Sequence, residues 1–193
     1  VMGAVYARFK HGKAKPRVGL LSNGTEASKG TELTRTVHGL LSEHDWGETG
    51  TYAGYVEGGA LYSGEVDVVV TDGFSGNVAL KIAEATGRLI AGWLKDAIRG
   101  AGVAGQLGGL LIRGPIRGLA GQLDPDRYGA APLLGVQGVA FICHGAASAV
   151  AVEQALLLAT RSVDEALTPK LSAALADAAP LFAEAKAAAA KNR

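Results

Sequence analysis

The stretch VDVVVTDGFSGNVALK, Val66–Lys81, decides the fold reading. Val66, Val68, Val69 and Val70 form a short β-branched run suited to a buried strand, which stops at Asp72. Gly73 and Gly76 space a turn, and a helix is expected to open at about Asn77. In a parallel α/β sheet, ligands collect where strands end and helices begin, because the free N–H groups of a first helical turn carry partial positive charge. Asn77 and Lys81 are four residues apart and can share one helix face. An amide, an ammonium and the backbone donors of Ser75 and Gly76 would then converge on an oxyanion, most simply phosphate. An ordinary capped helix with a surface lysine explains the same residues, and the motif alone leaves both readings open.

On both sides of this stretch, strand and helix patterns alternate. Val1–Lys13 reads as the tail of a helix and Arg17–Leu21 as a buried strand. Thr31–His44 has helical spacing of Leu33, Val37, Leu40 and Leu41, and Tyr52–Glu57 reads as a further strand. Beyond the long helix to about Arg99, Val136–Cys143 is expected to be another buried strand and Ala147–Thr160 a helix. The alternation predicts an α/β fold, a mostly parallel sheet flanked by helices. Residues 1–168 read as one domain, with a glycine- and leucine-rich helical hairpin at about 95–125. Residues 169–193 read as an alanine- and lysine-rich helical tail.

Composition narrows the function classes. The chain has 193 residues, enough for a sizeable core, and its 48% hydrophobic content suits a globular protein. Nineteen basic against eighteen acidic residues leave a net charge of +1, so no bulk field points to nucleic acid. The one cysteine, Cys143, excludes an internal disulfide and reads as a packing residue of its strand. With no apolar run long enough to span a bilayer and no leader pattern in VMGAVYARFKHGK, a cytoplasmic location is expected. His11, His38 and His44 lack metal-ligand spacing, and neither a nucleotide-binding glycine motif nor a G-x-S-x-G elbow occurs. No metal and no cofactor are expected.

Two other strand-end loops carry polar groups. Ser22–Gly30 offers Asn23, Thr25, Glu26, Ser28 and Lys29, and on its own reads first as a solvated loop capping a helix. His144 follows an apolar run and precedes Gly145. It is a candidate acid, base or phosphate ligand, or a histidine satisfied by a backbone carbonyl. In Gly100–Asp124, Leu107, Leu110, Leu111, Ile112 and Ile116 alternate with glycines and with Arg113 and Arg117. These residues suit contact with a membrane interface, where arginines reach anionic head groups, or a hairpin buried between subunits.

Three strings, PRVGLLSNGTEASKGTEL, GYVEGGALYSGEVDVVVTDGFSGNVALK and YGAAPLLGVQGVAFICHGAAS, resemble the phosphate acyltransferase family of bacterial phospholipid synthesis in order and spacing. The resemblance covers about Met2–Ala159. It implies a phosphate acetyltransferase / isopropylmalate dehydrogenase-like fold, a homodimer, and transfer of a fatty acyl group from acyl carrier protein to inorganic phosphate. It also implies peripheral membrane attachment through the hairpin and delivery of acyl phosphate to a glycerol-3-phosphate acyltransferase. Asn77, Lys81 and Asp72 would be the catalytic residues. Ser75, Gly76, Lys29, Glu26 and His144 would bind substrate or phosphate. Two departures stand out. Val1 falls inside a continuous family segment, so the chain is expected to be a C-terminal portion without the N-terminal part of the fold. The first loop also reads SNGTEASKG where the family shows NIGEE before its lysine and glycine, so Ser22 stands for an asparagine and Thr25 for an acid. A short-chain phosphate acetyl- or butyryltransferase using coenzyme A, and a non-catalytic binding or dimerisation fragment, are the alternatives.

Overall fold

The computed structural model describes residues 1–122 and 129–191. Its elements, in chain order, are α1 (Met2–His11), β1 (Arg17–Leu21), α2 (Glu32–Glu43), β2 (Thr51–Val56), α3 (Ala60–Ser63), β3 (Val68–Val70) and α4 (Gly73–Gly100). There follow α5 (Gly102–Leu111), α6 (Arg113–Gln122), β4 (Ala131–Pro132), β5 (Phe141–Ile142), α7 (Ala149–Asp164), α8 (Leu167–Asp177) and α9 (Ala179–Lys191). They form two compact units. The first comprises Val1–Thr71, Leu133–Ala140 and Thr160–Arg193, and the second Asp72–Pro132 and Phe141–Ala159.

The first unit is built on a three-stranded parallel sheet in the order β2-β1-β3. The register slips between Val18 and Gly19, so that Ala53 is the extra residue of β2 and Tyr52 and Tyr55 keep the same face. On that face Val18, 1% exposed, meets Ala4 of α1 and Trp46, with Leu41, Tyr52 and Val68 packed around them. The opposite face carries Val56, which clusters with Ala60, Val66 and Val69. Burying Val18, Val56 and Val66 contributes about 1.5–3 kcal/mol each. Asp67 ties the strand ends together: its carboxylate accepts the Arg17 N–H at 2.8 Å and pairs with Lys13 at 3.0 Å. The Arg17 backbone donor, then Lys13, holds its carboxyl below the usual range. Behind the sheet, α8 packs on α1 and α9 on α2, burying Leu167, Leu171 and Leu181. The boundary expected at 168/169 falls inside α8, and the tail region is two helices meeting at Ala178.

The expected α/β architecture is not what forms. Helices dominate the described residues, and the sheets are small and open: the three parallel strands and a two-stranded antiparallel pair, β4 with β5. The segment Val136–Cys143 accounts for much of the difference. Only Phe141–Ile142 pairs, with Ala131–Pro132, and Cys143 is exposed rather than packed. A short apolar run is not diagnostic of a strand. Here Gly135, at a left-handed φ of 89°, precedes it and Gly138 interrupts it.

The second unit is mainly the helical succession α4, α5 and α6. Gly102, at φ 62°, turns the chain so that α5 packs on α4. Gly105 and Gly109 make that contact possible. A Cβ on Gly105 would run into the Ile98 carbonyl oxygen, and one on Gly109 would lie 2.8 Å from Ile98 Cγ2. The hairpin at about 95–125 is therefore the end of α4 together with α5 and α6. The side chain of Arg117 and residues 123–125 lie outside the described residues.

Candidate functional site

The helix carrying Asn77 and Lys81 starts at Gly73, four residues before the expected opening, because Asp72 caps it. Asp72 has extended dihedrals (φ −69°, ψ 160°) and its Oδ1 accepts the Ser75 N–H at 2.8 Å. The Gly76 N–H donates to the Asp72 carbonyl at 3.0 Å. The Ser75 and Gly76 donors expected to face phosphate are thus directed at Asp72. The Ser75 N–H is also the foremost cause of the lowered pKa of the Asp72 carboxyl, which is stabilised as an anion where an external oxyanion would otherwise sit. Asn77 and Lys81 move correspondingly deeper into α4. They lie about 6 and 12 Å along the axis from Gly73, in the second and third turns rather than the first. They still share one exposed face.

On that face Lys81 Nζ pairs with Glu84 Oε2 at 3.1 Å, and Arg88 approaches the same carboxylate at 4.0 Å. Glu84 was not among the residues expected in the site. Its position three residues after Lys81 is the signal that could have found it.

His144 also belongs to the second unit. Its Nδ1 accepts the Ala146 N–H at 3.2 Å and its carbonyl accepts the Ala147 N–H at 2.9 Å, so both partners lie in its own turn. The first of these bonds requires an unprotonated Nδ1.

Glu26 and Lys29 belong to the first unit. The Lys29 N–H donates to the Glu26 carbonyl at 2.9 Å. Both side chains close over Gly24, where an added Cβ would lie 2.7 Å from Glu26 Oε2 and from Lys29 Cγ. The loop is cinched by Asn23, whose Oδ1 accepts the Gly30 N–H at 2.9 Å, and by Arg35, which donates to the Gly30 carbonyl at 2.8 Å. Thr31 then caps α2 by accepting the Thr34 N–H. The loop thus caps a helix and also brings Glu26 and Lys29 together. The hydroxyl of Ser22, at the base of this loop, is buried with no hydrogen-bond partner among the described residues.

No group of three or more His, Cys, Asp or Glu able to hold a metal occurs among the described residues. Nor does any helix among them have the length and apolarity to cross a membrane. His38 makes two contacts on the sheet of the first unit. Tyr52 Oη lies 2.8 Å from His38 Nδ1, and His38 stacks on Tyr55 at 4.3 Å. Burial, and then the neighbouring Tyr55, pushes the Tyr52 phenol up to about 12, and which of the two groups donates follows the tautomer of the imidazole.

Comparison with known proteins places the chain in a family. A family model described as "Fatty acid synthesis protein" matches residues 1–169. The chain is 47% identical over 174 residues to the phosphate acyltransferase of Syntrophotalea carbinolica, covering 90% of this chain and 49% of that protein. It is 45% identical over 180 residues to the phosphate acyltransferase of Myxococcus xanthus, covering 93% and 50%. The phosphate acyltransferase of Citrifermentans bemidjiense is 48% identical over 159 residues, covering 82% and 44%. The chain spans about half the length of the curated relatives it matches. It belongs to the fatty acid synthesis protein family, the family of the phosphate acyltransferases.

Proposed function

We propose that the chain carries part of the site of a phosphate acyltransferase that moves a fatty acyl group from acyl carrier protein to inorganic phosphate. The observation that carries the reading is the exposed Asn77–Lys81 face of α4, in a chain that matches this family over residues 1–169. Phosphate oxygen attacks the thioester carbonyl and the carrier's thiol leaves, so no protein nucleophile is needed. The demands on the protein are to hold phosphate against the carbonyl and to stabilise the tetrahedral oxyanion. Lys81 and Asn77 supply the cation and the amide donor. Asp72 accepts the Ser75 N–H and so fixes the turn that precedes them. Glu26 and Lys29, both lying beside Gly24, and His144 are the further substrate-binding candidates.

The test is acyl phosphate formation by the 193-residue chain, trapped as hydroxamate, with Lys81→Ala beside it. Turnover is expected to fall on the order of 100-fold in the variant. Near-normal turnover by a folded Lys81→Ala protein would remove Lys81 from the site. Running the assay with coenzyme A thioesters in place of the carrier separates the fatty acyl reaction from the short-chain, coenzyme A-dependent one. Binding of the carrier without turnover would instead favour a non-catalytic module.

Peripheral membrane contact through α5 and α6 belongs to the same proposal, as do a homodimer and hand-over to a glycerol-3-phosphate acyltransferase. Leu107, Leu110, Leu111 and Ile112 are exposed, Leu111 by 84%, and Arg113 is exposed beside them while Ile116 is half-buried. Exposed leucines next to an arginine suit an anionic lipid surface. Flotation with anionic vesicles should carry the chain upward, and Leu107→Asp/Leu111→Asp should leave it in the soluble fraction. Wild-type protein that stays soluble would end the membrane proposal.

A further inference from the structure

The face of α4 that bears Lys81 continues far beyond the phosphate site. At about 100° per residue, Asn77, Lys81, Glu84, Arg88, Lys95 and Arg99 all fall within an arc of about 60°. Lys81, Arg88 and Lys95 repeat every seven residues, about 10.5 Å apart, and the cations from Lys81 to Arg99 span about 27 Å. Glu84 is the one carboxylate among them and bridges Lys81 to Arg88. All four cations are solvent-exposed. Ile82, Leu89, Ile90 and Trp93 occupy the opposite arc, while Ile98, where α5 packs, borders the stripe near its C-terminal end.

We propose that this stripe docks an acidic protein surface, that of the carrier which delivers the acyl group to Lys81. The choice of partner rests on the function proposed above. Three features favour an acidic protein over other polyanions. A seven-residue repeat matches carboxylates on one face of a partner helix laid along α4. A lipid surface would take the apolar arc of α4 and leave the stripe pointing into water, because interfacial helices carry their basic residues at the flanks of the apolar face. A nucleic acid finds no supporting field, since the whole chain carries a net charge of only +1. The stripe ends at Lys81, so a carrier docked along it holds its thioester arm near the attacking phosphate.

The experiment measures binding of purified acyl-acyl carrier protein and, separately, of inorganic phosphate to the 193-residue chain over a range of salt concentrations. Arg88→Glu/Lys95→Glu should weaken carrier binding on the order of tenfold at low salt and flatten its salt dependence, leaving phosphate binding unchanged. Arg88→Gln/Lys95→Gln should show a smaller loss of the same kind, which guards against misfolding of the reversed variant. Carrier affinity within about twofold of wild type in both variants overturns the proposal. So does a wild-type chain that does not bind the carrier, or variants that lose anionic vesicles while keeping the carrier. The phosphate site stands or falls on its own result. If Lys81→Ala leaves phosphate binding intact while the double variants lose the carrier, the docking surface survives and the phosphate assignment does not.

Discussion

Strand β1 and helix α4 make opposite use of their apolar residues. Five-residue β1 lies between two partner strands and buries Val18, Gly19 and Leu20. Helix α4 has 28 residues and not one of them is buried; even Trp93 is 63% exposed. Its described packing partner is α5, through the glycine face on Ile98. The first unit is held by long-range contacts, whereas α4 depends on its own hydrogen-bond ladder, its Asp72 cap and i,i+3 or i,i+4 pairs such as Lys81–Glu84. The lesson is that the residues proposed for chemistry sit on a locally stabilised element, and the well-packed unit supplies a different, loop-borne set.

A matched pair of substitutions tests this contrast hardest. Leu20→Ala, at 4% exposure, should destabilise the first unit by about 2–5 kcal/mol in chemical denaturation. Leu89→Ala, on the open arc of α4, should change stability by less than about 0.5 kcal/mol. A cost above about 2 kcal/mol for Leu89→Ala would show that the apolar arc is covered in solution, and the contrast would break.

A smaller effect sharpens the same contrast at the edge of the sheet. Asp67 has a lowered folded-state pKa, so its contribution is present above its unfolded value and is lost as the pH falls through the folded one. Asp67→Asn should cost well under about 1 kcal/mol at neutral pH after solvent screening, and should remove that share of the acid-side loss. An unchanged acid limb in urea titrations of the variant would show that the strand-end staple contributes nothing in solution.

Much of the local structure was legible in the residues. The strand at Arg17–Leu21, a strand within Val66–Val70 and a helix within Thr31–His44 follow from apolar runs and helical spacing, and the structure adds the Thr31 cap. The start of α4 was misplaced because Gly73 and Gly76 read as a turn, while the Asp72 cap makes them the first helical turn. The Val136–Cys143 strand failed because apolarity alone does not supply a pairing partner. In the site, the shared face of Asn77 and Lys81 was visible in their spacing. The ion pair with Glu84 was equally visible and went unread.

By itself, then, the sequence determined family membership, the helical and strand periods, and the one-face placement of Asn77 and Lys81, since all of these depend on residue order and local geometry. Tertiary structure decided which donors are already occupied, which apolar runs find a neighbour, and that Glu26 and Lys29 close over Gly24. Those outcomes depend on competition for partners in space, where the carboxylate of Asp72 reaches the Ser75 N–H before any external anion can.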